Sequence, residues 1–199
     1  MAQYDPLLTP TVPLTAFEAG ASVQPAHPDL GEAMFVFRTL RVLIYRELGD
    51  QVPTDRHADL KETVQWNIAA GHALTASDVL AAEHARTRLH ENVLEFFERH
   101  DVLALPTTQV LPFSVEVEYP TEIDGRPMTD YLEWMSSCCV LSATGCPAIS
   151  MPAGFSDTGL PIGLQLVAAP GEDLRLFEIA ADVEALTGHG RIRPPEPLT

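Results

Sequence analysis

Lysine is nearly missing from this sequence. Lys61 is the one residue of its kind among 199, and eleven arginines supply the rest of the fixed positive charge. Against 28 acidic side chains this leaves a formal net charge of -16. A surface that grips phosphates needs clustered cations, so no nucleic-acid partner is expected. The acidic residues are scattered rather than run together, the pattern of a solvated surface. Long apolar runs are missing too. Nothing approaches the ~18 uninterrupted apolar residues of a membrane span, and no membrane partner is expected. The opening stretch MAQYDPLLTP holds an acid and no base ahead of an apolar run, unlike a secretory signal, which makes the cytoplasm the expected compartment. Cysteine is scarce. Cys138, Cys139 and Cys146 are odd in number, lie in apolar surroundings and form no C-x-x-C pair with matching histidine spacing. Buried free thiols are expected rather than a zinc site, and neither a metal nor another cofactor is implied.

What is there describes one ordinary domain. Hydrophobic residues make up 46% and charged residues 20%, enough apolar surface for a real core. Residues 1–26 are proline-rich with little periodicity and read as an extended segment, with a short strand over Asp5 to Pro13 broken by Pro10. From Asp29 the period becomes helical: Asp29 and Glu32 resemble a capping box, and Met34, Phe37, Leu40 and Ile44 define a stripe ending near Gly49. A second helix is expected over about 57–72, carrying Leu60, Val64 and Ile68. The clearest helix starts at Thr75, with Asp78 as its capping partner and Val79, Ala82, Leu89, Val93, Phe96 and Phe97 as its apolar face, and stops near Arg99 and His100.

Then the period changes. Asp101-Val-Leu-Ala-Leu-Pro106 is a short apolar run closed by proline, as a buried strand entering a loop would be. A loop follows to about Arg126, then a helix over 129–144 closing at Gly145, a strand over Ala148–Pro152, a turn from Gly154 to Gly159, a strand over 162–168 and a last helix from Glu172 to Gly188. Residues 191–199 read as a loose tail. Helices alternating with buried strands predict an α/β layered fold.

The run Gly145-Cys-Pro-Ala-Ile-Ser-Met-Pro-Ala-Gly-Phe, followed by Gly159-Leu-Pro-Ile-Gly-Leu-Gln-Leu-Val, resembles the C-terminal signature of the amidase signature family. Asp101-Val-Leu-Ala-Leu-Pro-Thr-Thr is similar to that family's "D-x-L-L-x-P-T" strand, and the resemblance extends over roughly 27–190. It implies part of a mixed, twisted sheet flanked by helices, in a hydrolase of non-peptide carboxamides. It also implies a chemistry of a nucleophilic Ser, a second Ser in a cis peptide and a Lys base, with backbone amides of a glycine-rich serine loop holding the oxyanion. By the same resemblance Thr107 and Thr108, and the segment around Tyr131 and Trp134, line the route to the substrate. The plain physical alternative for Trp134 is core packing.

The catalytic residues themselves are not found. No glycine-rich serine run occurs, and Ser136-Ser137, between Met135 and Cys138, sit in a predicted helix without a neighbouring glycine to open an oxyanion nest. Lys61 lies between Asp59 and Glu62, which raise an ammonium pKa rather than lower it. No G-x-S-x-G elbow surrounds any serine; Ser150 alternates with Ile149 and Met151 and reads as a satisfied sheet residue, and Cys146 has no His or Asn beside it to act as base. No catalytic residue is therefore assigned. Three readings stay open: a C-terminal amidase fragment inactive alone, one chain of a split amidase completed by a partner carrying the N-terminal half, and a non-enzymatic binding or homo-oligomerising module. One further feature is a repeat at an offset of 96, in which Asp5, Leu7, Pro10, Thr11 and Phe17 match Asp101, Leu103, Pro106, Thr107 and Phe113. It suggests that residues 1–25 duplicate the family strand and compete for its place.

Overall fold

A computed structural model describes Ser22 and residues 24–192. The expected strand over Asp5 to Pro13, the duplicated element and most of the tail lie outside the described residues. Three helices come first: α1 (Ala33–Gly49), α2 (Glu62–Ala73) and α3 (Ala76–Phe97). Strand β1 (Leu103–Pro106) follows, then a two-strand ribbon of β2 (Glu122–Ile123) and β3 (Arg126–Pro127), helix α4 (Ser136–Ser142), strands β4 (Ala148–Phe155) and β5 (Pro161–Val167), and helix α5 (Asp173–Thr187).

The main sheet has the order β1-β5-β4, with both pairings antiparallel. β5 takes the centre because Leu164, Gln165, Leu166 and Val167 are buried on both sides of the strand. One face of the sheet brings Leu105 and Val167 against Leu30, Ala33, Leu89, Val93, Val140 and Leu141 from the helical layer. The other packs Met151, Leu164 and Leu166 on Leu176, Ala180 and Val183 of α5. The period-2 alternation of β5 is thus split between two cores, a helix–sheet–helix layering that agrees with the α/β expectation.

Two helix contacts depend on missing side chains. At Gly71 in α2 an added Cβ would meet the Val42 carbonyl oxygen of α1 and lie 2.7 Å from the Arg46 Cβ, while at Gly49 it would lie 2.7 Å from Ile68. The two glycines let α1 and α2 approach closely.

Several local expectations are corrected. Asp29 and Glu32 form no capping box: the Asp29 carboxylate accepts from the Gly31 N–H at 3.1 Å, and Glu32 turns to Arg88 at 2.5 Å. The α1 face is rotated, burying Ala33, Val36, Thr39 and Val42 and leaving Ile44 56% exposed, because α2, α3 and α4 cover this helix. α2 starts at Glu62, since residues 54–59 form a 3-10 turn after Pro53 and Lys61 becomes the N-cap. The helix expected over 129–144 is confined to α4, after a 3-10 turn at Glu133–Met135. Pro152 does not end β4; a bulge between Pro152 and Gly154 carries the strand to Phe155, with Gly154 at φ 123°. The ribbon β2–β3 falls where a loop is expected, although its Asp124-Gly125 turn (φ 49° and 75°) is a hairpin signal. At Thr75 the capping box stands as expected, with Asp78 N–H donating to the Thr75 hydroxyl at 3.2 Å and Thr75 N–H to Asp78 at 2.8 Å.

Candidate functional site

β1 delivers Thr107 to the rim of the sheet, where the chain leaves its hydrogen-bonded register. The Thr107 N–H donates to the Gly163 carbonyl at 3.0 Å, and its hydroxyl lies 2.9 Å from the Ser150 hydroxyl. A Cβ on Gly163 would come within 2.7 Å of the Thr107 Oγ1, so glycine is required for this side-by-side approach. The Thr107 carbonyl accepts from the Cys138 thiol at 3.0 Å. In the strand register Ser150 and Leu105 both flank Gln165, itself only 8% exposed. Thr107, Ser150 and Gln165 therefore form a polar strip on the α4 side of the sheet. Thr108 turns outward, donating to the Val110 carbonyl at 2.9 Å.

Gln109 links this rim to α4. Its Oε1 accepts from the Ser136 hydroxyl at 3.0 Å and the Ser137 N–H at 3.2 Å. A backbone N–H only donates, which fixes the amide orientation. Gln109 thereby caps a helix that has no side-chain cap of its own, and its Nε2 is the one buried side-chain polar atom without a partner among the described residues. Ser136 and Ser137 are 5% and 2% exposed and serve this contact, in keeping with a structural pair.

Tyr131 belongs to a second cluster. Its hydroxyl accepts from Asn67 Nδ2 at 2.6 Å, and Asn67 is 1% exposed. The Arg41 guanidinium donates to Asn67 Oδ1 and, at 3.2 Å, to the Tyr45 hydroxyl. It lies 4.4 Å from the Tyr45 ring centroid and 5.5 Å from that of Tyr131. Trp66 and Tyr119 meet Tyr131 edge-on at 6.3 and 6.5 Å. Beside this cluster Asp130 takes a bidentate pair from Arg38 at 2.5 and 2.9 Å. Burial pushes the Asp130 carboxyl up, but the Arg38 hydrogen bond and the N–H groups of Leu132 and Glu133 outweigh it and hold the carboxyl below its ordinary value. Trp134 stacks edge-on against Phe113 at 5.4 Å. The four residues suggested by resemblance thus fall in different settings: Thr107 in the strip, Thr108 on the outer turn, Tyr131 in the arginine cluster and Trp134 against the loop.

No nucleophile–base pair is built from the chain's lysine. Lys61 pairs with Glu118 at 2.9 Å on the surface, and that carboxylate raises its pKa. Burial pushes the Cys139 thiol up to about 11 and raises the Cys146 thiol as well, the opposite of nucleophile activation. Among the described residues no three His, Cys, Asp or Glu side chains come together as a metal-binding group. No helix of the described residues is long and apolar enough to cross a membrane. Arg41, Asn67 and Gln109 do not stand out in the sequence as site residues. The signal for two of them is present all the same: Arg38 and Arg41 interrupt an apolar helix, and Asn67 sits beside Val64 and Ile68 on the buried face of α2.

An α/β layer with a polar strip at one strand end and, among the described residues, an edge strand on each side is the architecture these residues define. Comparison with known proteins specifies it. The profile of the family described as "Amidase" matches residues 36–177. This chain belongs to the amidase family, the amidase signature enzymes. It is 32% identical over 151 residues to a fatty acid amide hydrolase of Medicago truncatula, which covers 74% of this chain and 24% of that protein. To a glutamyl-tRNA(Gln) amidotransferase subunit of Dehalococcoides mccartyi it is 35% identical over 116 residues, 57% of this chain and 22% of that protein. The chain spans about a quarter of the length of these curated relatives. Among solved structures, one amidase superposes with a TM-score of 0.75 at 22% identity, over 83% of this chain and 38% of that one. A 6-aminohexanoate cyclic dimer hydrolase complexed with substrate gives 0.69 at 27% identity, over 88% and 39%.

Proposed function

We propose that this chain forms the C-terminal portion of a carboxamide C–N hydrolase and has no hydrolytic activity on its own, its nucleophile and base coming from outside these 199 residues. The carrying observation is the pairing of the family match over 36–177 with the state of the lone lysine, which is held at the surface by Glu118. A base for serine needs a lysine of lowered pKa, and this one is raised. In this reading residues 27–190 supply sheet and substrate wall, and Thr107, Thr108, Tyr131 and Trp134 face the substrate side of the complete enzyme.

A second reading is a split amidase, in which a separate polypeptide supplies the Ser-Ser-Lys half. The exposed apolar side chains favour it: Phe155 is 52% exposed and Leu174, Phe177 and Leu186 are 57–73% exposed, while among the described residues β1 and β4 are both sheet edges. The test is an assay of amide hydrolysis by the purified chain, alone and after mixing with a Ser-Ser-Lys segment of an amidase relative. The expected outcome is no turnover alone and turnover on mixing. Turnover by the chain alone would overturn the proposal.

A further inference from the structure

We infer that Arg41 is a binding residue for the carboxylate end of a ligand whose apolar part lies on Trp66, Tyr119 and Tyr131. Calling that ligand a substrate rests on the amidase reading; the binding does not.

Arg41 has fewer acceptors than its position calls for. A guanidinium presents five N–H donors. Two are used, by Asn67 Oδ1 and the Tyr45 hydroxyl, and both acceptors are neutral. No carboxylate pairs with it among the described residues, although the chain carries 28 acidic side chains. The other described arginines without a carboxylate partner, Arg46, Arg99 and Arg191, are exposed to solvent. Arg41 is half-buried, and so is Arg38 one turn earlier, which is closed by Asp130 through both nitrogens. A half-buried cation without a counter-ion is costly unless something supplies the charge.

The geometry also selects the shape of that group. The Arg41 Cζ lies over the Tyr45 and Tyr131 rings, and the donors of a guanidinium all lie in its own plane. A planar carboxylate matches that edge with two parallel hydrogen bonds. Asn67 locks the arrangement: its oxygen is held by Arg41, and its amide donates to the Thr63 carbonyl at 2.5 Å and to Tyr131 at 2.6 Å. Trp66, in edge contact with Tyr131, is 48% exposed, and Tyr119 and Tyr131 are half-buried, which leaves an aromatic wall reached by solvent. Stacking and apolar contact there suit the carbon skeleton that carries the carboxylate.

The test uses the full chain labelled with nitrogen-15, titrated with phenylacetate and with phenylacetamide, which share a shape and differ in charge. The Trp66 indole N–H and the Asn67 side-chain amide report binding. Phenylacetate is expected to shift both and to bind at least about tenfold more tightly than the amide, with salt weakening it. Arg41→Gln should lose about tenfold or more, Arg41→Lys should retain part, and Arg46→Gln should leave binding unchanged. Equal binding of acid and amide, shifts away from these two groups, or an unaltered Arg41→Gln titration overturns the assignment. Should Arg41→Gln fail to fold, the acid–amide difference in the unsubstituted chain decides alone. Absence of turnover in the mixing experiment leaves this result standing, and loss of carboxylate binding leaves turnover standing.

Discussion

Cys139 and Asp130 show how burial acts on single groups here. The Cys139 thiol is 2% exposed and raised to about 11, so at pH 8 roughly one molecule in a thousand carries the thiolate. Alkylation by iodoacetamide at that pH is expected to reach Cys139 only after unfolding, which peptide mass mapping with and without urea would show. Burial pushes the Asp130 carboxyl up as well, but the Arg38 hydrogen bond and the N–H groups of Leu132 and Glu133 outweigh it. Its folded pKa lies below its unfolded value of ~3.9, so the stabilisation is complete above that pH and disappears as pH falls through the lowered value. Asp130→Asn should cost about 1–2 kcal/mol at pH 7, less than a fully buried pair, because 27% of Asp130 and 34% of Arg38 face water. Urea unfolding at pH 7 and at pH 2.5 should show that deficit shrinking in acid; an equal deficit at both would exclude the ion pair as its source. The bidentate pair is beyond sequence reading, since Arg38 and Asp130 are 92 residues apart.

At the scale of elements, local chemistry decides some helices and packing decides others. α3 is legible because its start signal is self-contained: Thr75 and Asp78 satisfy each other's backbone groups within one turn. Thr75→Ala should remove about 1 kcal/mol of stability in thermal or urea unfolding. α1 is legible in extent and not in orientation, because its buried face is set by neighbours far along the chain. The α1–α2 contact makes the sharper prediction. Gly71→Ala would drive a methyl into the Val42 carbonyl and the Arg46 Cβ, and overpacking of this kind costs about 1–3 kcal/mol or more. A midpoint in urea that does not fall would show that the helices separate freely. α4 is shorter than its sequence pattern suggests. Leu132 and Met135 continue an apolar period, but Asp130 accepts the N–H groups of Leu132 and Glu133 and starts a separate 3-10 turn, and α4 begins only after Met135 leaves the helical region at φ -108° and ψ 23°.

The chain covers 38–39% of the two solved relatives named above, and among the described residues its main sheet ends on both sides in an edge strand, β1 and β4. Leu174 and Phe177 on α5 stand 73% and 63% exposed, more apolar surface than a solvated helix face ordinarily shows. Sedimentation at rising concentration should reveal self-association of the purified chain, and Leu174→Lys with Phe177→Lys should move it toward monomer; a monomer throughout would mean these side chains are tolerated in water. The sequence by itself determined the family, the β4–β5 hairpin and the capped α3. Those features are written in contiguous residues, where turns, caps and prolines act over a few bonds. Only the tertiary structure decided that Gly163 admits Thr107 beside Ser150, that Gln109 caps α4, and that Arg41 meets Asn67 and the Tyr131 ring with donors to spare. Most of those contacts join residues tens of positions apart, and no local period or propensity encodes which distant side chains will meet.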